Sequence, residues 1–329
     1  MKFLIIRFSS LSEIILSTPL IRCIKKQLPG HEVHFLTMPK YADVFIANPD
    51  VDRIHVHSNT IEQLITELSK ENFEQVIDLE DDPQSKAIIK TLGIKSTRPP
   101  YSNINLWLYR KFKISFSSYK HRAEQYFKTM SSFNIKNDGA GVDYFIPDKD
   151  HIKQEDIPVA HRIGYIGVVV GGKHFTKRIP LNKLKEFCEM IQYPVVLLGG
   201  RECAEMGNEI SSADPIKIYN SCGKFSLHET ADLIKQSKIM IGPETGLMHI
   251  AAAFKKPTIT IWGNTSPFFG RAPYYGTAEF QHANFEIKNL SCKPCSNTGL
   301  DACPKKHFNC MQQHSPEKII SVARQFLKL

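Results

Sequence analysis

No stretch of this 329-residue sequence approaches the roughly 20 consecutive apolar residues that cross a bilayer. The apolar segment at the start, Phe3 to Ile6, is too short for a signal peptide and runs straight into polar sequence, so residence in the cytoplasm is expected. Internal repeats and low-complexity tracts are missing, and so are zinc-finger, RNP and helix-turn-helix patterns, which argues against a nucleic-acid partner. Acidic residues are in short supply. Against 42 Lys and Arg there are 33 Asp and Glu, a net charge of +9, which calls for an anionic partner such as a phosphorylated substrate or an anionic membrane surface.

What is present reads as two α/β domains. The length suits two domains of about 150 residues better than one core, and 42% hydrophobic with 23% charged residues is the composition of a soluble globular protein. An apolar strand over Lys2 to Phe8 is followed by Ser9 and Ser10, either of which can cap a helix through Ile14, Leu16, Leu20, Ile21 and Ile24, with Pro29-Gly30 as its stop. Strands are predicted at Glu32 to Met38, Arg53 to His57 and Gln75 to Leu79, with a short helix near Tyr41 to Ile46 and another over Ile61 to Glu71. Linker composition over Asn137 to His161 separates this from a second alternating series, Gly164 to Val170, Leu181 to Ile191, Pro194 to Leu198, Glu202 to Ile210, Ile216 to Tyr219 and Leu227 to Gln236. Such alternation predicts doubly wound parallel sheets, in domains 1–155 and 156–315, with a last helix in 316–329.

The stretch from Lys238 to Pro267 organises the second series. Ile239 to Ile241 reads as a buried strand, Thr245 stands where a helix cap belongs, Leu247 to Ala253 form the helix, and Thr258 to Trp262 make the next strand. The loop leaving such a strand and the first turn of its helix attract anions through backbone N–H groups and the helix dipole. Gly246 permits close approach of a phosphate, with Glu244, Thr245 and His249 placing polar atoms around it; the plainer alternative is a capping threonine and a core histidine.

Together with Arg7 to Pro19 (RFSSLSEIILSTP), the segments Glu244 to Ala253 (ETGLMHIAAA) and Gly263 to Pro267 (GNTSP) resemble family 9 of the glycosyltransferases, the ADP-heptose:lipopolysaccharide heptosyltransferases. Asn264 replaces the family's usual proline, Ser12 its glycine, and Glu13 and Glu244 its aspartates. The resemblance implies a GT-B fold of two Rossmann-like domains facing across a cleft, the first binding the acceptor and the second the donor, with the last helix returning to the first domain. It implies an inverting glycosyltransferase that moves heptose from ADP-heptose to the inner core of lipopolysaccharide at the inner face of the inner membrane, as a peripheral protein without a cofactor. A related transferase with another donor, and a nucleotide-sugar-binding protein without catalysis, are the alternatives.

Inversion needs a base to take the acceptor's proton, and by family position that base is Glu13, which could otherwise be a carboxylate facing the helix dipole. Gly171 to Pro180 (GGKHFTKRIP) resembles the family's diphosphate loop, so Gly172, Thr176 and Lys177 are donor candidates, Lys177 as leaving-group clamp; Glu202 is the candidate for the ribose hydroxyls. No Asp-x-Asp metal motif sits in the family's place: Asp81-Asp82 ends a first-domain strand, so a metal-independent reaction is expected. Between Lys95 and Arg122, cations including Arg110, Lys111, Lys113, Lys120 and Arg122 alternate with Tyr101, Trp107, Tyr109, Phe112, Phe116 and Tyr119, a composition for gripping an anionic lipid-borne acceptor or simply for a solvated face. Finally, Cys292, Cys295, Cys303 and Cys310 have a spacing that could serve a four-thiolate zinc site, reduced thiols or a facultative disulfide.

Overall fold

A computed structural model of the chain describes residues 1–57, 60–100, 103–112 and 120–328. The chain divides into two compact units, the first comprising 1–101, 120–147 and 274–278, the second 102–119, 148–273 and 279–329.

The first unit holds a parallel sheet of β1 (Lys2–Ile6), β2 (Glu32–Thr37), β3 (Arg53–Val56), β4 (Gln75–Asp78) and β5 (Ser96–Thr97), in the order β3-β2-β1-β4-β5. Its helices are α1 (Leu11–Gln27), α2 (Ile61–Ser69) and α3 (Pro83–Leu92); α4 (Asn103–Phe112) follows in sequence but groups with the second unit, and α5 (Arg122–Phe127) returns to the first. Leu4, Ile6, Leu36 and Val76 on the strands pack against Leu64 and Leu68 of α2 and Ile88 of α3. Each such aliphatic side chain taken from water contributes about 1.5–3 kcal/mol. Pro19 lies inside α1, and Ser10 takes the cap position without a side-chain cap bond.

The second unit carries β6 (Ile166–Val169), β7 (Val195–Leu198), β8 (Ile218–Asn220), β9 (Ile239–Pro243), β10 (Thr258–Trp262) and β11 (His282–Glu286), all parallel, in the order β11-β10-β9-β6-β7-β8. Between and after them run α6 (Leu181–Met190), α7 (Ala204–Ser211), α8 (Leu227–Gln236), α9 (Gly246–Ala253), α10 (Asn309–Gln312) and α11 (Pro316–Leu327). Strands such as β7 (Val-Val-Leu-Leu) are buried throughout, as expected where helices cover both faces of a parallel sheet.

Both sheets follow the Rossmann rule. Strand order reverses once in each, between β1 and β4 and between β6 and β9, and ligands bind at the carboxyl ends of the strands flanking such a point. Two expectations about domains are corrected. The last helix, expected to return to the first domain, groups with the second unit, whose core buries its apolar face (Ile319, Ile320, Ala323). The basic aromatic segment does not belong wholly to the first: Tyr109 of α4 stacks on Phe268 with ring centroids 3.8 Å apart, which ties α4 to the second unit.

Candidate functional site

In the first unit the switch point places Glu13, in the first turn of α1, just beyond the end of β1. Its side chain is buried, at 5% residue exposure, so its charge needs partners. The phenol of Tyr126 donates a hydrogen bond to Glu13 Oε2, Arg122 Nε donates to the same oxygen at 3.3 Å, and Arg7 Nη2 stands 3.8 Å from it. Arg7 is itself fixed, donating to the carbonyl of Leu79 and lying 3.3 Å through Nε from Glu80. Glu80 accepts from the backbone N–H of Phe8 at 2.9 Å and of Ser9 at 3.4 Å, while burial pushes its carboxyl above the usual range. The acid is thereby held in one geometry by two arginines and a tyrosine.

Three of these residues are not legible in the sequence in this role. Arg122, expected on the acceptor, pairs with Glu13, and its side chain is only 11% exposed. Arg7 and Tyr126 were not singled out as site residues; Arg7 lies in the N-terminal motif, but nothing in the sequence announces that a tyrosine 113 positions from Glu13 will meet it. Asp82 accepts from Ser85 N at 2.7 Å as the cap of α3, and Asp81 pairs with Lys86 at 2.9 Å.

The second switch point gathers most of the donor candidates. Gly171 and Gly172 leave β6, and a Cβ on Gly172 would touch Thr245 Cγ2 at 3.6 Å, so the first strand's loop lies against the start of α9. Thr245 occupies the N-cap position, but its side chain caps nothing: its Oγ1 is buried without a hydrogen-bond partner. A buried hydroxyl with no partner is costly, and beside N–H groups at a helix start it is placed for an anionic oxygen. Lys177 Nζ lies 2.9 Å from Glu244 Oε2, which also accepts from Thr265 Oγ1 at 3.0 Å. Glu202, exposed, packs near Gly200 and Gly171 at the neighbouring strand end, and His249 is buried in α9.

The donor candidate Thr176 also makes contacts within the protein. Its hydroxyl donates to the carbonyl of Leu300 at 2.9 Å and accepts from Leu300 N at 2.8 Å, so it pins the cysteine-bearing loop to the turn that carries Lys177. Gly263 makes that junction possible, since a Cβ there would stand 2.3 Å from the Thr176 carbonyl. Arg178, given no role in advance, donates to the carbonyl of Gly172 at 2.8 Å and brings a second cation to the loop. Its signal was its place next to Lys177.

Cys292, Cys295, Cys303 and Cys310 line one cavity of about 150 Å³ with Thr176 and Asn264. All are unpaired thiols; burial pushes Cys310 up to about 12 and raises Cys295 as well. Of the acceptor candidates, Arg110, Lys111 and Lys120 are exposed, Lys111 over the Trp107 ring at 5.1 Å. Lys113, with Tyr101, Phe116 and Tyr119, lies outside the described residues. Among the described residues no helix is long and apolar enough to cross a membrane.

Comparison with known proteins bears on the family and the fold. The sequence matches Glycosyltransferase family 9 (heptosyltransferase) over residues 61–299. It is 26% identical over 293 residues to lipopolysaccharide heptosyltransferase 1 of Campylobacter coli, covering 82% of this chain and 85% of the relative. It is 30% identical over 142 residues to lipooligosaccharide heptosyltransferase 2 of Campylobacter jejuni, where the match spans only 41% of either chain. The structure of the Escherichia coli ADP-heptose lipopolysaccharide heptosyltransferase II superimposes over 99% of this chain and 98% of that one, with a TM-score of 0.76 at 18% identity. Family match and fold agree: the chain belongs to glycosyltransferase family 9, the heptosyltransferases.

Proposed function

We propose that this protein transfers heptose from ADP-heptose to the inner core of lipopolysaccharide, with inversion at the anomeric carbon. The observation that carries the reading is the cluster at the second switch point, where a lysine, an arginine, a glycine-lined loop and an unpartnered threonine hydroxyl meet the start of a helix. Cations and helix N-termini stabilise the negative charge that develops on a departing nucleoside diphosphate. Lys177 and Arg178 supply that charge, Gly172, Thr245 and Gly246 supply close backbone approach, and Glu202 accepts from the ribose hydroxyls. Glu244, already carrying Lys177 and Thr265, binds the sugar, and His249 supports the start of the helix from within.

Glu13 takes the proton from the acceptor hydroxyl as that oxygen attacks the anomeric carbon and ADP leaves. The guanidinium groups of Arg7 and Arg122 offset its charge in this buried place, and Tyr126 fixes its orientation. With two cations at the diphosphate, the reaction runs without a divalent metal. Exposed Arg110, Lys111 and Lys120, together with Lys113, engage an anionic acceptor at the inner face of the inner membrane, where the protein is peripheral.

Support for the reading comes from the relatives' names, which include heptosyltransferases 1, 2 and 3 of lipopolysaccharide assembly. The test is ADP release by purified protein given ADP-heptose, with and without a lipopolysaccharide core acceptor, in buffer containing a chelator. Acceptor-dependent release that survives chelation is expected. Tight ADP-heptose binding with no turnover on any core acceptor would leave only a binding protein.

A further inference from the structure

On the neighbouring strands β2 and β3 of the first sheet, and the turn before β4, three side chains suited to a metal ion converge. His34 on β2 and His55 on β3 are both buried, at 2% and 7% exposure, and their Nδ1 and Nε2 atoms lie 3.0 Å apart. Glu71, in the turn between α2 and β4, brings Oε2 to 3.9 Å from His34 Nδ1. One ligand atom from each lies within 4.8 Å of the others, the one such group of three among the described residues. Ligands bound to a single zinc-sized ion at about 2.0–2.2 Å stand about 3–4 Å from one another, so the set needs only small adjustments to close on an ion.

We propose that His34, His55 and Glu71 form a structural binding site for a borderline divalent transition-metal ion of the zinc class. Two imidazoles with one carboxylate suit such an ion rather than magnesium or calcium, which prefer oxygen. The outer shell is also in place. His34 presents its other ring nitrogen, Nε2, to Glu32 at 3.3 Å, the carboxylate–histidine arrangement that fixes tautomer and ring orientation for a metal-binding imidazole.

Glu71 now holds Lys2 at 3.3 Å through Oε2 and Arg53 through Oε1. An ion would displace Lys2 from Oε2, and Lys2 has an alternative in Glu32, also at 3.3 Å. Arg53 can keep its oxygen. The site would clamp β2, β3 and the turn before β4 together, and none of its three ligands is among the residues assigned to sugar transfer, so its role is in stability.

The experiment uses full-length protein stripped with a chelator and then titrated with Co²⁺ alone, followed by absorption, and with Zn²⁺ alone, followed by thermal unfolding. Cobalt on thiolates shows intense charge-transfer absorption, whereas cobalt on imidazole and carboxylate shows only weak ligand-field bands, so the cysteine loop and this site are told apart. One equivalent of thiolate-free Co²⁺ is expected in the wild type, lost in His55→Gln and in Glu71→Gln, with Zn²⁺ raising Tm only where that equivalent is present. Glu32→Gln, which touches only the outer shell, should weaken binding by about 10–100-fold. The proposal falls if the wild type binds no thiolate-free ion, or if Glu71→Gln and His55→Gln bind it as the wild type does. Should His55→Gln fail to fold, Glu71→Gln and Glu32→Gln carry the same decision.

Discussion

Glu13→Gln separates catalysis from binding more cleanly than any other single change. Glutamine keeps the shape and can still accept from Tyr126 and Arg122, but it loses the charge and with it the basicity. A positioned general base contributes about 10²–10⁴-fold to rate, so kcat should fall by that factor, equivalent to about 2.7–5.5 kcal/mol of transition-state stabilisation. Donor affinity should barely move, because the residues assigned to ADP-heptose are all in the second unit and Glu13 is in the first. Removing the carboxylate also leaves Arg7 and Arg122 less neutralised in a buried place. Breaking a buried pair can cost about 3–5 kcal/mol, so folding of the variant is checked by thermal unfolding before its kinetics are read.

The assay is single-turnover ADP release at saturating donor and acceptor, paired with calorimetric titration of ADP-heptose into the same protein. Glu13→Asp supplies the internal control. It restores basicity but withdraws the carboxylate by one methylene from Tyr126 and the two arginines, so activity between glutamine variant and wild type is expected. A folded Glu13→Gln that transfers heptose at the wild-type rate would refute the assignment and reduce Glu13 to a structural carboxylate at the start of α1.

Lys177→Ala should weaken ADP-heptose binding by about 1.5–3 kcal/mol, the scale of a charge-assisted contact, and calorimetry showing unchanged affinity would move the diphosphate elsewhere. Neutralising Arg110, Lys111 and Lys120 together should raise acceptor KM and reduce binding to anionic vesicles, both differences shrinking at high salt; equal binding by variant and wild type leaves these residues a solvated surface. Asp138 accepts from Arg22 at 2.7 and 2.9 Å, and that hydrogen bonding holds its carboxyl well below the usual range. A depressed carboxyl stabilises the fold above its unfolded value of about 3.9, and that stabilisation fades as pH falls towards the folded value. Asp138→Asn should therefore lower Tm at neutral pH and flatten its fall below about pH 4; parallel pH profiles would contradict the pairing.

The sequence carried the sheets well because each buried parallel strand is a short β-branched run set off by turn residues, as in Ile239 to Pro243 or Val195 to Leu198. It did not announce β5, a two-residue strand, or β11, whose exposed His282 and polar neighbours lack any apolar run. At the sites, motif positions such as Glu13, Lys177 and Glu244 were legible because their backbone places follow from strand ends and helix starts. Their partners were not. A side chain's pairing depends on which distant segments the fold brings near, and Tyr126 and Leu300 sit on segments whose local pattern says nothing of Glu13 or Thr176.

The pair between Lys177 and Glu244 shows why that distinction matters for mechanism. In the function proposed above, Lys177 clamps the diphosphate and Glu244 holds the sugar. Their contact at 2.9 Å joins the two tasks: a lysine with three donors can keep Glu244 and reach a phosphate oxygen at once, so the carboxylate aims the cation instead of consuming it. Thr265, donating to the same oxygen of Glu244, comes from the segment after β10, and Thr176, beside Lys177, is pinned to Leu300. The proposed clamp is therefore built by four stretches of the chain, around Lys177, Glu244, Thr265 and Leu300.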